Sequence, residues 1–149
     1  PSTDTRGEGQ LWTHPGLKRE ALLVSSDTPW SIFQQVQSAR ADCAVIDEAQ
    51  FFGPAIVEVV YNLGVIADVV VATLNKDYTG RPYEVTQGLL GIADRIVPRT
   101  AICVACGDDA SYTHRKAASK EKVFVGGAEA YEARCRECFY KVAEEPWVP

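Results

Sequence analysis

Two Cys-x-x-Cys pairs carry the clearest chemistry in this chain. The first is Cys103-Val104-Ala105-Cys106, followed by Gly107; the second is Cys135-Arg136-Glu137-Cys138. Zn²⁺ prefers four tetrahedral N/S ligands, and a two-residue spacer lets one turn present two thiolates to one ion. Four thiolates leave no open coordination position, so such a site is structural rather than catalytic. The competing reading is two disulfides or four free thiols. Paired spacing in a chain that opens with no signal peptide favours the metal. The fifth cysteine, Cys43, lies in an apolar run and is expected to be a buried, unligated thiol.

The second group is acidic. Asp47-Glu48 follows the apolar run Cys43-Ala44-Val45-Ile46. In open α/β sheets, ligands bind beyond the carboxyl ends of the strands. An acid emerging there suits an Mg²⁺-binding Asp of nucleotide-dependent enzymes, and the adjacent Glu48 suits a general base for a substrate hydroxyl. The alternative is a solvated acidic strand end that starts a turn. Asp-Glu-Ala-Gln is also a helicase box. A helicase, however, needs a phosphate loop, a second recombination-type domain and a nucleic-acid groove, none of which these residues offer. No Gly-Lys pair occurs in the 149 residues, so Gly-x-x-x-x-Gly-Lys-[Ser/Thr] is absent from them.

These groups need elements to hold them. Residues 1–28 are polar and turn-rich, with Leu22-Leu23-Val24 as a short candidate strand. Asp27 or Thr28 can cap a helix that has Pro29 in its first turn. Trp30, Phe33 and Val36 recur at helical spacing and carry that helix to about Arg40. Cys43–Ile46 and Val69–Ala72 are uninterrupted apolar runs, which predicts buried parallel strands. Between them, Gly53-Pro54 starts a helix bearing Ile56, Val57, Val60 and Leu63, and Gly64 ends it. A helix over 87–93 and a short apolar pair, Ile96-Val97, precede the cysteines. Strand–helix alternation predicts an α/β fold with a parallel sheet and crossover helices over 1–99, followed by a small zinc-binding lobe over 100–149.

Composition sets outer limits. Hydrophobic residues make up 46% and charged residues 23%, enough for an ordinary core and unlike a disordered chain. A net charge of −5 argues against non-specific binding to nucleic acid or anionic membrane. A local phosphate site remains compatible with it, because backbone amides and metal ions bind anions in acidic proteins. No apolar run is long enough to span a bilayer. Reduced thiols and no targeting segment point to the cytoplasm. The chain starts at Pro1 and contains no Met, which is expected of a sequence that lacks an N-terminal segment.

The residues together resemble the type II, cellular-type thymidine kinases. Asp47-Glu48-Ala49-Gln50-Phe51-Phe52, Cys103-x-x-Cys106, Thr113-His114-Arg115 and Val125-Gly126-Gly127-Ala128-Glu129-Ala130-Tyr131 through Cys135-x-x-Cys138 carry the likeness, which extends weakly to Asp4-Thr5-Arg6. The resemblance implies a P-loop-type α/β domain, here without its N-terminal phosphate-loop part, and a zinc-held lobe with a lasso loop over the nucleoside. It implies γ-phosphoryl transfer from ATP to the 5′-hydroxyl of thymidine in deoxynucleotide salvage for DNA synthesis. By the same resemblance Glu48 is the general base and Asp47 the carboxylate for Mg²⁺ and ATP. Phe51, Tyr78 and Tyr131 face the nucleoside, and the backbone of Lys122, Val123, Phe124, Val125 and Gly126 reads the thymine. Zn²⁺ sits on Cys103, Cys106, Cys135 and Cys138, the assembly is a homotetramer, and thymidine triphosphate inhibits by feedback. The sequence departs from the family at Asn75, where an Asp is usual, and at Tyr78 and Tyr83, where Phe is usual. His14 precedes Pro15 rather than an acid and is given no catalytic role. The absent phosphate loop predicts weak ATP binding by these residues alone. The rival reading is a zinc-ribbon module that binds a nucleoside or a protein without chemistry.

Overall fold

Cys43–Ile46 is too short for a helix, and in the computed structural model of the chain it forms strand β3. The structure describes residues 10–12, 18–116, 128–143 and 146. Upstream, β1 (Gln10–Trp12) and β2 (Lys18–Glu20) pair antiparallel. Helix α1 (Trp30–Ala39) leads into β3, a 3₁₀ turn over Ala49–Phe51 follows, and α2 (Ala55–Leu63) crosses to β4 (Asp68–Val71). β3 and β4 run parallel, with Val45 opposite Val70 and Ile46 opposite Val71. Helix α3 (Glu84–Ile92) comes next. The cysteine-rich part holds two antiparallel pairs, β5 (Ala101–Ile102) with β6 (Asp109–Ala110) and β7 (Tyr112–Arg115) with β8 (Tyr131–Arg134), and then α4 (Arg136–Tyr140). The fold is mixed α/β with a short parallel sheet.

The chain divides into two compact units. One holds the residues up to Thr73 together with Glu84–Ile92; the other holds Leu74–Tyr83 and the residues from Ala93 onward. The core of the first is built on helical spacing. Ile56, Val59 and Leu63 of α2 recur on one face, are fully buried, and pack with Ile46, Phe52, Val85 and Leu89. Full burial of one such side chain is worth about 1.5–3 kcal/mol.

Several expectations need correction. Leu22-Leu23-Val24 is not a strand: Leu22 and Leu23 are exposed, and Val24 packs against the core as irregular chain. Neither Asp27 nor Thr28 caps α1 through its side chain. The Thr28 carbonyl instead accepts the Ser31 N–H and hydroxyl, at 3.0 and 2.8 Å. β3 and β4 are not buried on both faces. Ala44 and Ile46 point into the core, whereas Val45 is 65% and Val70 55% exposed. Alternation along a strand sends neighbours to opposite faces, and the helices that bury Ile46 cover one of them. Cys43 lies on the other face and is a free, exposed thiol rather than a buried one. α3 starts at Glu84, three residues before the predicted start, because Val85, Leu89 and Ile92 form its apolar stripe and Glu84 suits the helix N-terminus. Ile96 and Val97 are exposed and outside any strand.

Candidate functional site

Asp47 and Glu48 emerge from the carboxyl end of β3, where the parallel ladder closes with Ala72 N–H donating to the Ile46 carbonyl at 2.8 Å. Ala49 N–H then donates to the Ala72 carbonyl at 3.1 Å and turns the chain over the strand end. Glu48 adopts φ 55° and ψ 39°, the left-handed region that non-glycine residues enter at a cost of roughly 1–2 kcal/mol. Asp47 Oδ1 accepts the Glu48 N–H at 2.9 Å and steadies that bend. The Glu48 carboxylate accepts from the Gln50 amide through Oε2. Asp47 is exposed and Glu48 half-buried, so both acids are accessible at the strand end. Phe51 lies on the 3₁₀ turn and is half-buried.

Behind Glu48 lies a polar chain that the sequence did not announce. Gln50 is buried, and its Oε1 accepts from the Thr73 hydroxyl at 3.1 Å. Thr73 Oγ1 lies 2.9 Å from the hydroxyl of Thr86, a buried residue of α3. Only the composition of Asp-Glu-Ala-Gln hinted at Gln50; nothing in the sequence marked Thr73 or Thr86.

The second unit builds an aromatic loop. Asp77 is buried, and its Oδ1 accepts from the Thr79 N–H and hydroxyl and from the Arg81 N–H, at 2.9, 2.6 and 3.0 Å. Its own N–H donates to the Arg81 carbonyl at 2.9 Å. This Asx-type turn holds Tyr78 at the loop tip. Asn75, the departure from the expected acid, uses its carbonyl to accept the Tyr83 N–H at 3.2 Å. Arg115, on β7, stacks its guanidinium on Tyr78 at 3.6 Å from the ring centre and donates to the Tyr131 hydroxyl at 3.0 Å. Tyr78 and Tyr131 are thus gathered around one buried cation, an arrangement worth about 2 kcal/mol or more where desolvated. Sequence reasoning singled out both tyrosines but gave Asp77 and Arg115 no role. An Asp two residues before Thr-Gly is the signal that predicts the turn. Lys122, Val123, Phe124, Val125, Gly126 and His14 lie outside the described residues.

Gly80 closes this loop at φ +86°. A Cβ there would sit 3.4 Å from the Tyr112 ring and 3.5 Å from the Phe139 ring. Gly80→Ala is therefore expected to lower stability by about 1–2 kcal/mol through the left-handed backbone alone. Thermal unfolding followed by tyrosine ellipticity measures it; an unchanged midpoint would show that the loop relaxes without cost.

The four paired cysteines converge. Their sulfurs all lie within 4.8 Å of one another, and Cys106 Sγ is 3.7 Å from Cys135 Sγ. A tetrahedral ion with Zn–S of about 2.3 Å places its sulfurs roughly 3.8 Å apart, whereas a disulfide needs about 2.05 Å. All four are free thiols, so the donor set fits one metal ion and not two disulfides. Local structure explains the convergence. The β5–β6 hairpin bends over Gly107 at φ 84°, with Gly107 N–H donating to the Cys103 carbonyl at 2.9 Å. Cys135 caps α4, its sulfur accepting the Cys138 N–H at 3.4 Å. The Cys135 backbone N–H, helped by those of Ala105 and Cys106, pulls the Cys103 thiol down to about 6 against the effect of its burial. At Cys106 the Asp108 backbone N–H acts downward, but hydrogen bonding with Cys103 and burial outweigh it and push that thiol up to about 12. Cys103 is thus held toward the thiolate and Cys106 toward the thiol, and a bound divalent cation would favour the thiolate at both.

Comparison with known proteins adds a family. A profile described as thymidine kinase matches residues 1–139. Proteins named thymidine kinase from two strains of Bacteroides fragilis are 34% identical to this chain, covering 97% of it and 72% of their own length. Another of that name, from Pyrobaculum aerophilum, is 32% identical in an alignment that covers 91% of this chain and 77% of its own length.

Proposed function

Because this chain belongs to the thymidine kinase family, we propose that its acid pair and aromatic loop serve transfer of the γ-phosphoryl group of ATP to the 5′-hydroxyl of thymidine. The observation that carries this reading is Glu48. It leaves a strand end in a strained backbone state with its carboxylate held by an amide donor, and such strain clusters at functional sites. Glu48 accepts the 5′-hydroxyl proton as that oxygen attacks phosphorus and the bond to the leaving ADP breaks. Asp47 would hold Mg²⁺, which when bound neutralises charge on the phosphates. Phe51, Tyr78 and Tyr131 contact the nucleoside, and a ring face on Tyr78 packs on a pyrimidine as well as Phe would. The backbone of 122–126 reads the thymine edge.

Zn²⁺ on Cys103, Cys106, Cys135 and Cys138 is the structural metal of this reading. The β3–α2–β4 unit is part of a P-loop-type sheet, residues 1–99 form the kinase-type domain, and 100–149 the zinc-bearing lobe. A cytoplasmic homotetramer inhibited by thymidine triphosphate completes the reading. Among the described residues no helix is long and apolar enough to cross a membrane.

Base recognition and ATP binding are separable. A polypeptide of residues 1–149, which carries no Gly-Lys pair, is expected to bind thymidine weakly and to transfer no phosphoryl group. Calorimetric titration with thymidine and with ATP, followed by a turnover assay, tests both halves. Tight ATP binding without thymidine binding would overturn the proposal, and turnover by this polypeptide would refute the role given to the loop.

A further inference from the structure

We propose that Gln50 is a positioning residue for the general base, the last link of a directional hydrogen-bond chain that fixes the Glu48 carboxylate. The inference rests on the reading of Glu48 as the base. The direction of the chain follows from donor chemistry. An ionised carboxylate only accepts, so the Gln50 amide must turn its nitrogen to Glu48 Oε2. Its carbonyl oxygen then faces Thr73 and can only accept, so the Thr73 hydroxyl donates there. The one proton of Thr73 is thereby used, and in the 2.9 Å contact the Thr86 hydroxyl is the donor. Thr86 to Thr73 to Gln50 to Glu48 is a single polarised relay, in which each bond strengthens the next.

The relay draws on separate parts of the first unit. Gln50 sits on the 3₁₀ turn, Thr73 just beyond β4, and Thr86 on α3. Gln50 and Thr86 are 5% and 3% exposed. A primary amide is costly to bury unless hydrogen-bonded, and the sequence places one here two residues after the base. Glu48 holds this geometry from a left-handed backbone at φ 55°. Its left-handed bend aims the carboxylate back along the turn, where Gln50 meets it.

The test uses the kinase-active chain with its phosphate loop present. Gln50→Leu is expected to lower kcat roughly 10–100-fold, the range for losing one hydrogen bond to a charged group, with thymidine KM within about two-fold. Thr73→Val should lower kcat by less, since it frees the amide to rotate, and Thr73→Ser should restore it. The Thr73 pair keeps the proposal testable if Gln50→Leu does not fold. An unchanged kcat in folded Gln50→Leu or Thr73→Val overturns it, and a raised KM with kcat unchanged would make Gln50 a binding residue instead. Glu48→Gln separates the two claims. If that change is severe while the Gln50 and Thr73 changes are silent, only the relay is wrong. If it is mild, the assignment of the base is wrong.

Discussion

Removing the metal from the cysteine cluster is expected to unfold the second unit while leaving the first folded. The apolar interior of the described second unit is small: Cys103, Ala110, Tyr112, Ala130 and Phe139 are its buried apolar residues. One of these belongs to the cysteine cluster itself, and Phe139 follows its member Cys138 directly on α4. Structural zinc in small domains contributes on the order of 10–16 kcal/mol at neutral pH, far more than so few buried side chains supply. The expected stoichiometry is one Zn²⁺ per chain, with Zn–S near ~2.3 Å. Chelation should abolish the near-ultraviolet signal of the Tyr112–Phe139–Tyr140 cluster, whose ring centres lie 4.8 to 6.1 Å apart. Cys135→Ser should do the same, because it removes a ligand and the cap of α4 together. Acidification should release the ion, since protons and metal compete for the same thiolates. Metal analysis below about half an equivalent, or a disulfide within either pair, would refute the site.

Glu48→Gln is expected to remove most turnover while thymidine still binds. The change is close to isosteric, and the new amide oxygen can still accept from Gln50, so the bend and the relay survive. What is lost is the capacity to take a proton. General-base loss costs about 10²–10⁴-fold, or roughly 2.7–5.5 kcal/mol of transition-state stabilisation. Steady-state turnover alongside calorimetry with thymidine in the loop-bearing chain reads both quantities. Turnover within a few-fold of the parent would remove Glu48 from the mechanism.

Local spacing made part of this protein legible in its sequence. Cys-x-x-Cys sets the geometry of a turn, so the gathering of Cys103, Cys106, Cys135 and Cys138 could be foreseen without knowing the fold. Four apolar residues followed by two acids announced β3 and its acidic end, and a 3.6-residue period announced α1 and α2. These signals lie within one turn or one strand, where backbone geometry alone links sequence to shape.

Tertiary structure decided the rest, because each remaining feature depends on residues far apart in the chain. Whether an apolar strand is covered on one face or two is set by its neighbours, and so Cys43, Val45 and Val70 are exposed although their runs read as buried. Asp77 and Arg115 look like ordinary polar residues until the loop over 74–83 meets β7 and Tyr78 stacks on the guanidinium. The left-handed bend at Glu48 has no glycine to advertise it. It exists because Asp47, Gln50, Thr73 and Thr86 over-determine it, and two of those partners come from more than twenty residues downstream.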